Sequence, residues 1–285
     1  AAAMSAALPT GRRPRGGARR SCALLATALF ALPWWPALAA VLPQAGPPPV
    51  APVPPGEPPR KLYMGRPIAP TMSWEGGPWL MRASREKEER CSMLLEALAI
   101  EPGITTCDFG CGNGFYTFAL AERVGAKGKV YATDIQPEML ELLEEEGART
   151  AARRALWPRV VPVLSTETDP KLPDGAIDLA LLVDVYHELS DPEAVLKALA
   201  RALKPKGQAV IVEFRLEDPE VPIKLDHKMT KVQLKRELDA NGWDVVREYD
   251  ELPWQHVVFF TPRRSPATKP SSADRAADGK KAGGD

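Results

Sequence analysis

The chain has 285 residues, 45% of them hydrophobic, so it is long enough to bury a sizeable core in one large domain or two small ones. It carries 37 basic and 37 acidic residues, for a formal net charge of +0, and outside the N-terminus the two signs are interspersed. This balance excludes a strong basic field, so we predict no nucleic-acid partner.

The first 42 residues have the layout of an export signal. A group of arginines ending in Arg19-Arg20 precedes an apolar run that contains the cleavage candidate Ala37-Leu38-Ala39. We predict a signal peptide, of the twin-arginine kind, or an uncleaved anchor, because the run is just long enough to span a bilayer. The domain would then be exported (periplasmic) or membrane-anchored, with membrane association only through this segment. The alternative is a mis-called start, with Met64 as the first residue of a cytoplasmic protein.

Two further segments show no pattern of a folded core. Residues 43–60 are rich in proline, which predicts an extended linker. Residues 263–285 are mostly small and polar with no apolar period, which predicts a disordered tail. The folded domain is therefore expected between residues 61 and 262.

Within that domain, helical and strand patterns alternate. Apolar residues at i, i+3, i+4 and i+7, from Cys91 to Leu98, predict an amphipathic helix from Arg85 to Ala99 with its charged face toward solvent. Pro137, a capping-box pattern that begins at Ser190, and Thr230 each mark a helix start. The alternation predicts a doubly wound, parallel sheet, followed by two consecutive strands. The predicted strands are 104–109, 129–133, 160–164, 177–183, 208–214, 243–249 and 255–261.

A glycine-rich turn follows the first of these strands. Asp108 precedes Gly110, Gly112 and Gly114, and a helical pattern begins directly afterwards. Glycines at this spacing let the backbone turn tightly and approach a ligand, and the helix start offers unpaired N–H groups. A dinucleotide site needs Gly-x-Gly-x-x-Gly, and this chain has Phe115 where the last glycine would stand. An NAD-dependent oxidoreductase is therefore disfavoured.

The second strand ends in Asp134, a carboxylate suited to accept both hydroxyls of a ribose. With the fourth strand and Asp184 after it, these motifs occur in the order found in class I S-adenosylmethionine-dependent methyltransferases, and the chain resembles that family, in particular its ubiquinone-biosynthesis (type 11) branch. The resemblance implies a Rossmann-like, seven-stranded, mostly parallel sheet with a terminal antiparallel hairpin. It also implies S-adenosyl-L-methionine as cofactor and methyl transfer to an unidentified small-molecule acceptor.

The resemblance further implies which residues surround the cofactor. They belong to the glycine turn, to the end of the second strand and to the ends of the next two strands: Asp108, Gly110, Cys111, Gly112, Asn113, Gly114, Tyr116, Asp134, Ile135, Glu167 and Asp184. Glu167 is chosen as the adenine contact, although many relatives have Gly-Asp-Ala at this place. Asp184 could hold the amino end of the cofactor or only cap a helix.

His187 is the predicted general base, because it follows the carboxyl end of the fourth strand, where ligands bind in open α/β sheets. The alternative is a histidine that caps the next helix or packs on Tyr186. Glu213 and Arg215 could face the acceptor or pair with each other, and we expect the pairing. The loop around His227 is either a substrate lid or a plain connection. With three histidines in the chain, no metal site is predicted. Since a fold does not guarantee activity, a non-catalytic cofactor-binding sensor or partner-binding module is the alternative function.

Overall fold

The structure is a computed structural model that describes residues 60–264. The predicted signal peptide or anchor (1–42), nearly all of the linker and most of the tail lie outside the described residues, so those predictions stay predictions. At the tail's start, the backbone N–H of Arg263 donates to the carbonyl of Gly242 at 2.7 Å. Within residues 60–264, no helix combines the length and the apolar character needed to cross a membrane.

The strands of the described residues form one large sheet and a separate two-stranded ribbon. The ribbon is β1 (Leu62–Tyr63) with β2 (Arg66–Pro67). The strands of the large sheet are β3 (Thr105–Phe109), β4 (Lys129–Asp134), β5 (Val160–Leu164), β6 (Ile177–Val183), β7 (Leu203–Arg215), β8 (Lys228–Met229), β9 (Trp243–Tyr249) and β10 (Gln255–Pro262).

The large sheet has the order β5-β4-β3-β6-β7-β10-β9, with the short β8 beside β7. Neighbouring strands are parallel from β5 to β7, and β10 runs antiparallel to both β7 and β9. The predicted Rossmann-like, mostly parallel sheet with a terminal antiparallel hairpin is therefore confirmed. The two-residue β8 is an addition that the sequence pattern did not indicate.

The helices are α1 (Gly77–Leu80), α2 (Arg85–Glu89), α3 (Cys91–Ala97), α4 (Phe115–Arg123), α5 (Pro137–Arg149), α6 (Ala151–Leu156), α7 (Pro192–Ala202) and α8 (Lys231–Ala240). They cover both faces of the sheet, which explains why its central strands are nearly continuous apolar runs. Successive residues of β6 point into different cores: Leu181 packs on the side of α4 and α5, and Leu182 on the side of α7 and α8.

The prediction of a single helix from Arg85 to Ala99 was wrong. Arg90 has a left-handed backbone (φ 50°) that ends α2, and α3 starts anew at Cys91. The apolar stripe of α3 is buried as predicted. The charged residues of α2 do not all face solvent: Glu86 and Lys87 are exposed as expected, whereas Arg85 and Glu89 are buried and paired at 2.8 Å. Because the helix breaks at Arg90, the apolar spacing of α3 does not predict which residues of α2 are buried.

Two helix starts agree with the predictions and one differs in detail. Pro137 is the first residue of α5, and Thr230 caps α8 by accepting from the N–H of Gln233 at 3.1 Å. The cap of α7 is Asp191, whose carboxylate accepts from the N–H of Ala194 at 3.0 Å. Ser190, where the predicted capping box begins, instead donates its hydroxyl to Glu167 at 2.8 Å.

Candidate active site

A cavity of about 450 Å³ opens at the carboxyl ends of β3, β4, β6 and β7, within the range of ligand pockets. This is the edge at which ligands bind in open α/β sheets. Of the residues predicted for the site, those in its wall are Gly110, Gly112, Asp134, Ile135, Glu167, Asp184 and His187. The structure thus brings the glycine turn, the acid of the second strand and the predicted base around one space.

The glycine turn has a left-handed backbone at each of its glycines, with φ of +66° at Gly110, +53° at Gly112 and +88° at Gly114. A side chain has no room there: a Cβ on Gly112 would lie 2.6 Å from Leu80 Cδ1, and one on Gly114 would lie 2.3 Å from Leu143 Cδ1. Both backbone conformation and close packing therefore require glycine in this turn.

Replacing Gly114 with alanine is expected to lower the free energy of unfolding by about 2 kcal/mol or more, from a disfavoured backbone and a clash with Leu143. The matched control is Gly175→Ala, because Gly175 also has a positive φ (+63°) but nothing lies within 4 Å of its Cβ position. The control should lose only the backbone contribution, about 1 kcal/mol. Urea unfolding of both variants checks the difference, and equal losses would contradict the packing argument.

Asp134 is held by the turn that it faces. Its Oδ2 accepts from the N–H of Gly112 at 2.9 Å, and its Oδ1 accepts from the N–H of Gln136 at 3.0 Å. Burial raises the pKa of this carboxyl, and the two backbone donors oppose the rise. A carboxylate has about four acceptor positions, so about two remain for donors in the cavity. This arrangement fits a ribose with two neighbouring hydroxyls.

The other predicted cofactor residues lie behind the cavity wall. Asp108 is buried and accepts from the hydroxyl of Thr117 at 2.5 Å, and burial raises the pKa of Asp108 to about 6. Asn113 donates its side-chain amide to the carbonyl of Gly77 at 2.8 Å. Cys111, Gly114 and Tyr116 are not in the cavity wall, and both Cys111 and Tyr116 are buried. In this structure these residues hold the turn in place and do not line the cavity.

Glu167 and Ile135 lie at the rim of the cavity. Ile135, directly after Asp134, is partly exposed, and Glu167 accepts from the hydroxyl of Ser190. Ser165 and Thr166, next to Glu167, line the same wall and were not predicted. Their hydroxyls and backbone are additional candidates for the adenine side of the site.

Asp184 is part of a buried charge network that the sequence analysis missed. It has a left-handed backbone (φ 54°), and its carboxylate accepts twice from the amide of Gln255, at 2.8 and 3.0 Å. Burial, with the carboxylates of Glu89 and Glu213 nearby, raises its pKa well above the ordinary value. Arg85 lines the cavity and opposes this rise. Arg85 was not predicted as a site residue because the charges of α2 were expected to face solvent.

His187 is 2% exposed and is held from two sides. Its Nδ1 lies 2.6 Å from Glu213 Oε2, and its backbone N–H donates to Glu213 Oε1 at 3.1 Å. Its carbonyl accepts from Arg66 Nη1 at 3.0 Å and from the N–H of Ala69 at 3.1 Å. Burial lowers the pKa of this imidazole, but the carboxylate of Glu213 outweighs burial and the pKa is raised.

The expected pairing of Glu213 with Arg215 is wrong. Arg215, at the end of β7, donates to the carbonyls of Pro253 and Asp250 at 3.0 and 2.7 Å. Glu213 turns to His187, because β7 lies beside β6 and brings Glu213 under the turn that follows β6. The pattern of β7 alone contained no signal for a partner 26 residues earlier in the chain.

Two more side chains complete this end of the cavity. His227 Nδ1 lies 3.0 Å from His187 Nε2, and Glu188 Oε1 lies 3.8 Å from His187 Nε2 and 3.7 Å from His227 Nδ1. Burial raises the pKa of Glu188 to about 7, and burial together with His187 lowers the pKa of His227. His227 comes from the loop between β7 and α8, so this loop is more than a connection.

Comparisons with known proteins agree with this geometry. Residues 107–211 match the family model described as a methyltransferase domain. A 2-phytyl-1,4-naphthoquinone methyltransferase of Trichormus variabilis is 30% identical over 122 residues, which cover 43% of this chain and 52% of the relative. A ubiquinone/menaquinone biosynthesis C-methyltransferase of Shewanella oneidensis is 29% identical over 128 residues, which cover 45% of this chain and 49% of the relative.

A solved structure shows the similarity over a larger part of the chain. A SAM-dependent methyltransferase from Aquifex aeolicus aligns with a TM-score of 0.62 and 27% identity, covering 67% of this chain and 98% of that protein. The two curated relatives, by contrast, are matched over only about half of their length. The family match, the sheet order and the cavity at the carboxyl ends of the strands lead to one conclusion: the described residues contain a methyltransferase domain with the fold of the class I S-adenosylmethionine-dependent methyltransferases.

Proposed function

We propose that the chain transfers a methyl group from S-adenosylmethionine to an oxygen or an acidic carbon of a small, largely apolar acceptor. The observation that carries the proposal is the composition of the cavity. Asp134 and the glycine turn line one part of it, and His187, oriented by Glu213, lines another. A cofactor site and an oriented base in one space are what this reaction requires.

The character of the acceptor follows from the remaining walls of the cavity. Apolar side chains from the segment before α2, from the end of β7 and from the loop after β7 line it, among them Met72, Trp79, Phe214, Pro222 and Ile223. Such a surface favours a flat or aliphatic molecule with few polar groups. The curated relatives in quinone metabolism act on molecules of this kind, which supports the same class for this chain.

When bound, the cofactor supplies an electrophilic methyl group on a positively charged sulfur. Asp134 would hold the ribose, and the glycine turn would let the backbone approach the cofactor closely. Glu213 accepts from Nδ1 of His187, which leaves the Nε2 lone pair directed away from Glu213. In the free protein Nε2 faces His227 Nδ1 at 3.0 Å, so the acceptor would replace His227 as its partner. Nε2 would then take the proton of the acceptor while the acceptor atom forms its bond to the methyl carbon. The carbon–sulfur bond breaks with its electron pair on sulfur, so S-adenosylhomocysteine is the second product.

The first test is calorimetric titration of the full chain with S-adenosylmethionine, S-adenosylhomocysteine and NADH. We expect both sulfur ligands to bind and NADH not to bind. Binding of NADH alone, or of none of the three, would overturn the proposed function. If both sulfur ligands bind, single-turnover assays with naphthoquinols and phenols as acceptors follow. Binding without turnover on any acceptor would favour the non-catalytic alternative.

Asp134→Asn is expected to raise the Kd for S-adenosylmethionine about tenfold or more. The amide keeps the shape of the carboxylate but has one acceptor oxygen, so it cannot serve Gly112, Gln136 and two ribose hydroxyls together. Asp174→Asn, at an exposed position outside the cavity, is the matched control and should leave the Kd unchanged. An unchanged Kd in Asp134→Asn would reject the assignment of the ribose to this carboxylate.

A further inference from the structure

Three metal-binding side chains meet at the acceptor end of the cavity. The atoms concerned are His187 Nε2, His227 Nδ1 and Glu188 Oε1, all within 4.8 Å of one another. Their separations are 3.0, 3.7 and 3.8 Å. The ligand atoms of a tetrahedral zinc ion, at roughly 2.0–2.1 Å from the metal, lie about 3.3–3.4 Å apart. The observed separations bracket this value, so a single cation can reach the three atoms with small shifts.

Hydrogen bonding alone does not account for the cluster. An N–H···N bond explains the 3.0 Å between the two imidazoles. It does not explain Glu188, whose Oε1 faces both ring nitrogens at distances too long for a hydrogen bond. Glu188 is also held in place, since its carboxylate accepts weakly from the backbone N–H of Met72 at 3.3 Å. A cation between the three atoms would satisfy all of them.

The surroundings match those of known metal sites. A metal-bound histidine usually gives its second ring N–H to a carboxylate, which fixes the tautomer and orients the ring. Glu213 does this for His187 through Nδ1, and it is fully buried. All three candidate ligands line the cavity, so the side of the cation away from them would be open to a bound molecule. Three protein ligands with an open position are typical of catalytic sites.

We propose that His187, Glu188 and His227 bind a divalent transition-metal cation, and that this cation holds and acidifies an oxygen of the acceptor. Two imidazoles and one carboxylate suit Zn²⁺, Fe²⁺, Co²⁺ or Mn²⁺ better than Mg²⁺ or Ca²⁺. The role of the cation rests on the proposed function, whereas its binding does not. The proton transfer to His187 described above belongs to the metal-free protein. In the metal-loaded protein Nε2 is a ligand, and the acceptor's hydroxyl loses its proton to solvent once bound to the cation.

The test uses the full chain after dialysis against a chelator, titrated calorimetrically with ZnCl₂ and MnCl₂. We expect one Zn²⁺ per chain, with affinity reduced at least tenfold in Glu188→Gln and in His227→Gln. The control is Glu193→Gln, an exposed carboxylate in the first turn of α7, which should bind like the wild type. Cobalt substitution provides a second readout, because visible d–d absorption reports a low-coordinate cation and should be lost in the same two variants.

The outcomes separate the two proposals. No Zn²⁺ or Co²⁺ binding by the wild type, or wild-type affinity in both ligand variants, would overturn the metal site. Retained S-adenosylmethionine binding in that case leaves the proposed function intact. Conversely, one bound Zn²⁺ in a protein that does not bind S-adenosylmethionine supports the metal site and overturns the proposed function.

Discussion

His187→Gln is expected to reduce kcat for methyl transfer by about 100-fold or more and to leave the affinity for S-adenosylmethionine unchanged. Glutamine can still donate to Glu213, so the buried carboxylate keeps a hydrogen-bond partner. The substitution therefore does not destabilise the fold by leaving a buried charge unpaired. It cannot accept a proton near neutral pH, and it replaces the imidazole at the cavity wall. Cofactor affinity should hold because Asp134 and the glycine turn are untouched.

Single-turnover rates and calorimetric titration check both parts of this prediction. Glu96→Gln is the control, since Glu96 is exposed on α3 and is not in the cavity wall. Its rate per folded molecule should equal that of the wild type. A fast His187→Gln variant would show that the imidazole contributes neither as a base nor as a ligand. A variant that also loses cofactor affinity would mean that His187 supports the whole cavity.

Glu89→Gln is expected to lower the free energy of unfolding by about 3 kcal/mol or more. Glu89 is 1% exposed and accepts from both Arg85 and Arg82, at 2.8 and 2.5 Å. Without the carboxylate, the guanidinium of Arg85 stays buried with the carbonyl of Leu80 and the ring of Phe115 as its partners. A buried cation without its counter-charge is among the most costly defects in a protein.

Urea unfolding of the wild type, Glu89→Gln and Glu96→Gln measures this effect. Glu96 is exposed on α3, so its substitution should change the free energy of unfolding by no more than about 0.5 kcal/mol. Equal stabilities of the two variants would show that the ion pair contributes nothing beyond an ordinary surface contact. Because Arg85 lines the cavity, we also expect Glu89→Gln to weaken cofactor binding.

The part of the site that could be predicted from sequence is the part encoded locally. The glycine turn and Asp134 each follow directly from a strand, and parallel strands end at a common edge, so their meeting needs no long-range information. Arg85 and Glu89 were missed because charges on a short helix ordinarily face solvent. Their burial depends on the break at Arg90, which the apolar period does not reveal.

Glu213 and His227 were missed or misjudged for a different reason. Glu213 finds its partner across the neighbouring strand, and His227 reaches the site from a loop that has no periodic pattern. Contacts of this kind depend on how two distant segments are placed, 26 and 40 residues from His187 in the chain. A single sequence contains no local signal for either.

Residues that hydrogen-bond to His187 lie outside the region that matches the family model, which matters for any exchange of segments between this domain and a relative. The region that matches the family model, residues 107–211, includes the glycine turn, Asp134 and His187. It leaves out Arg66 and Ala69, which bind the carbonyl of His187, as well as Glu213, which orients its ring. A hybrid enzyme that exchanges only the matched region would combine this imidazole with foreign supports, so the smallest exchangeable unit for catalysis extends from the β1–β2 ribbon at least to His227.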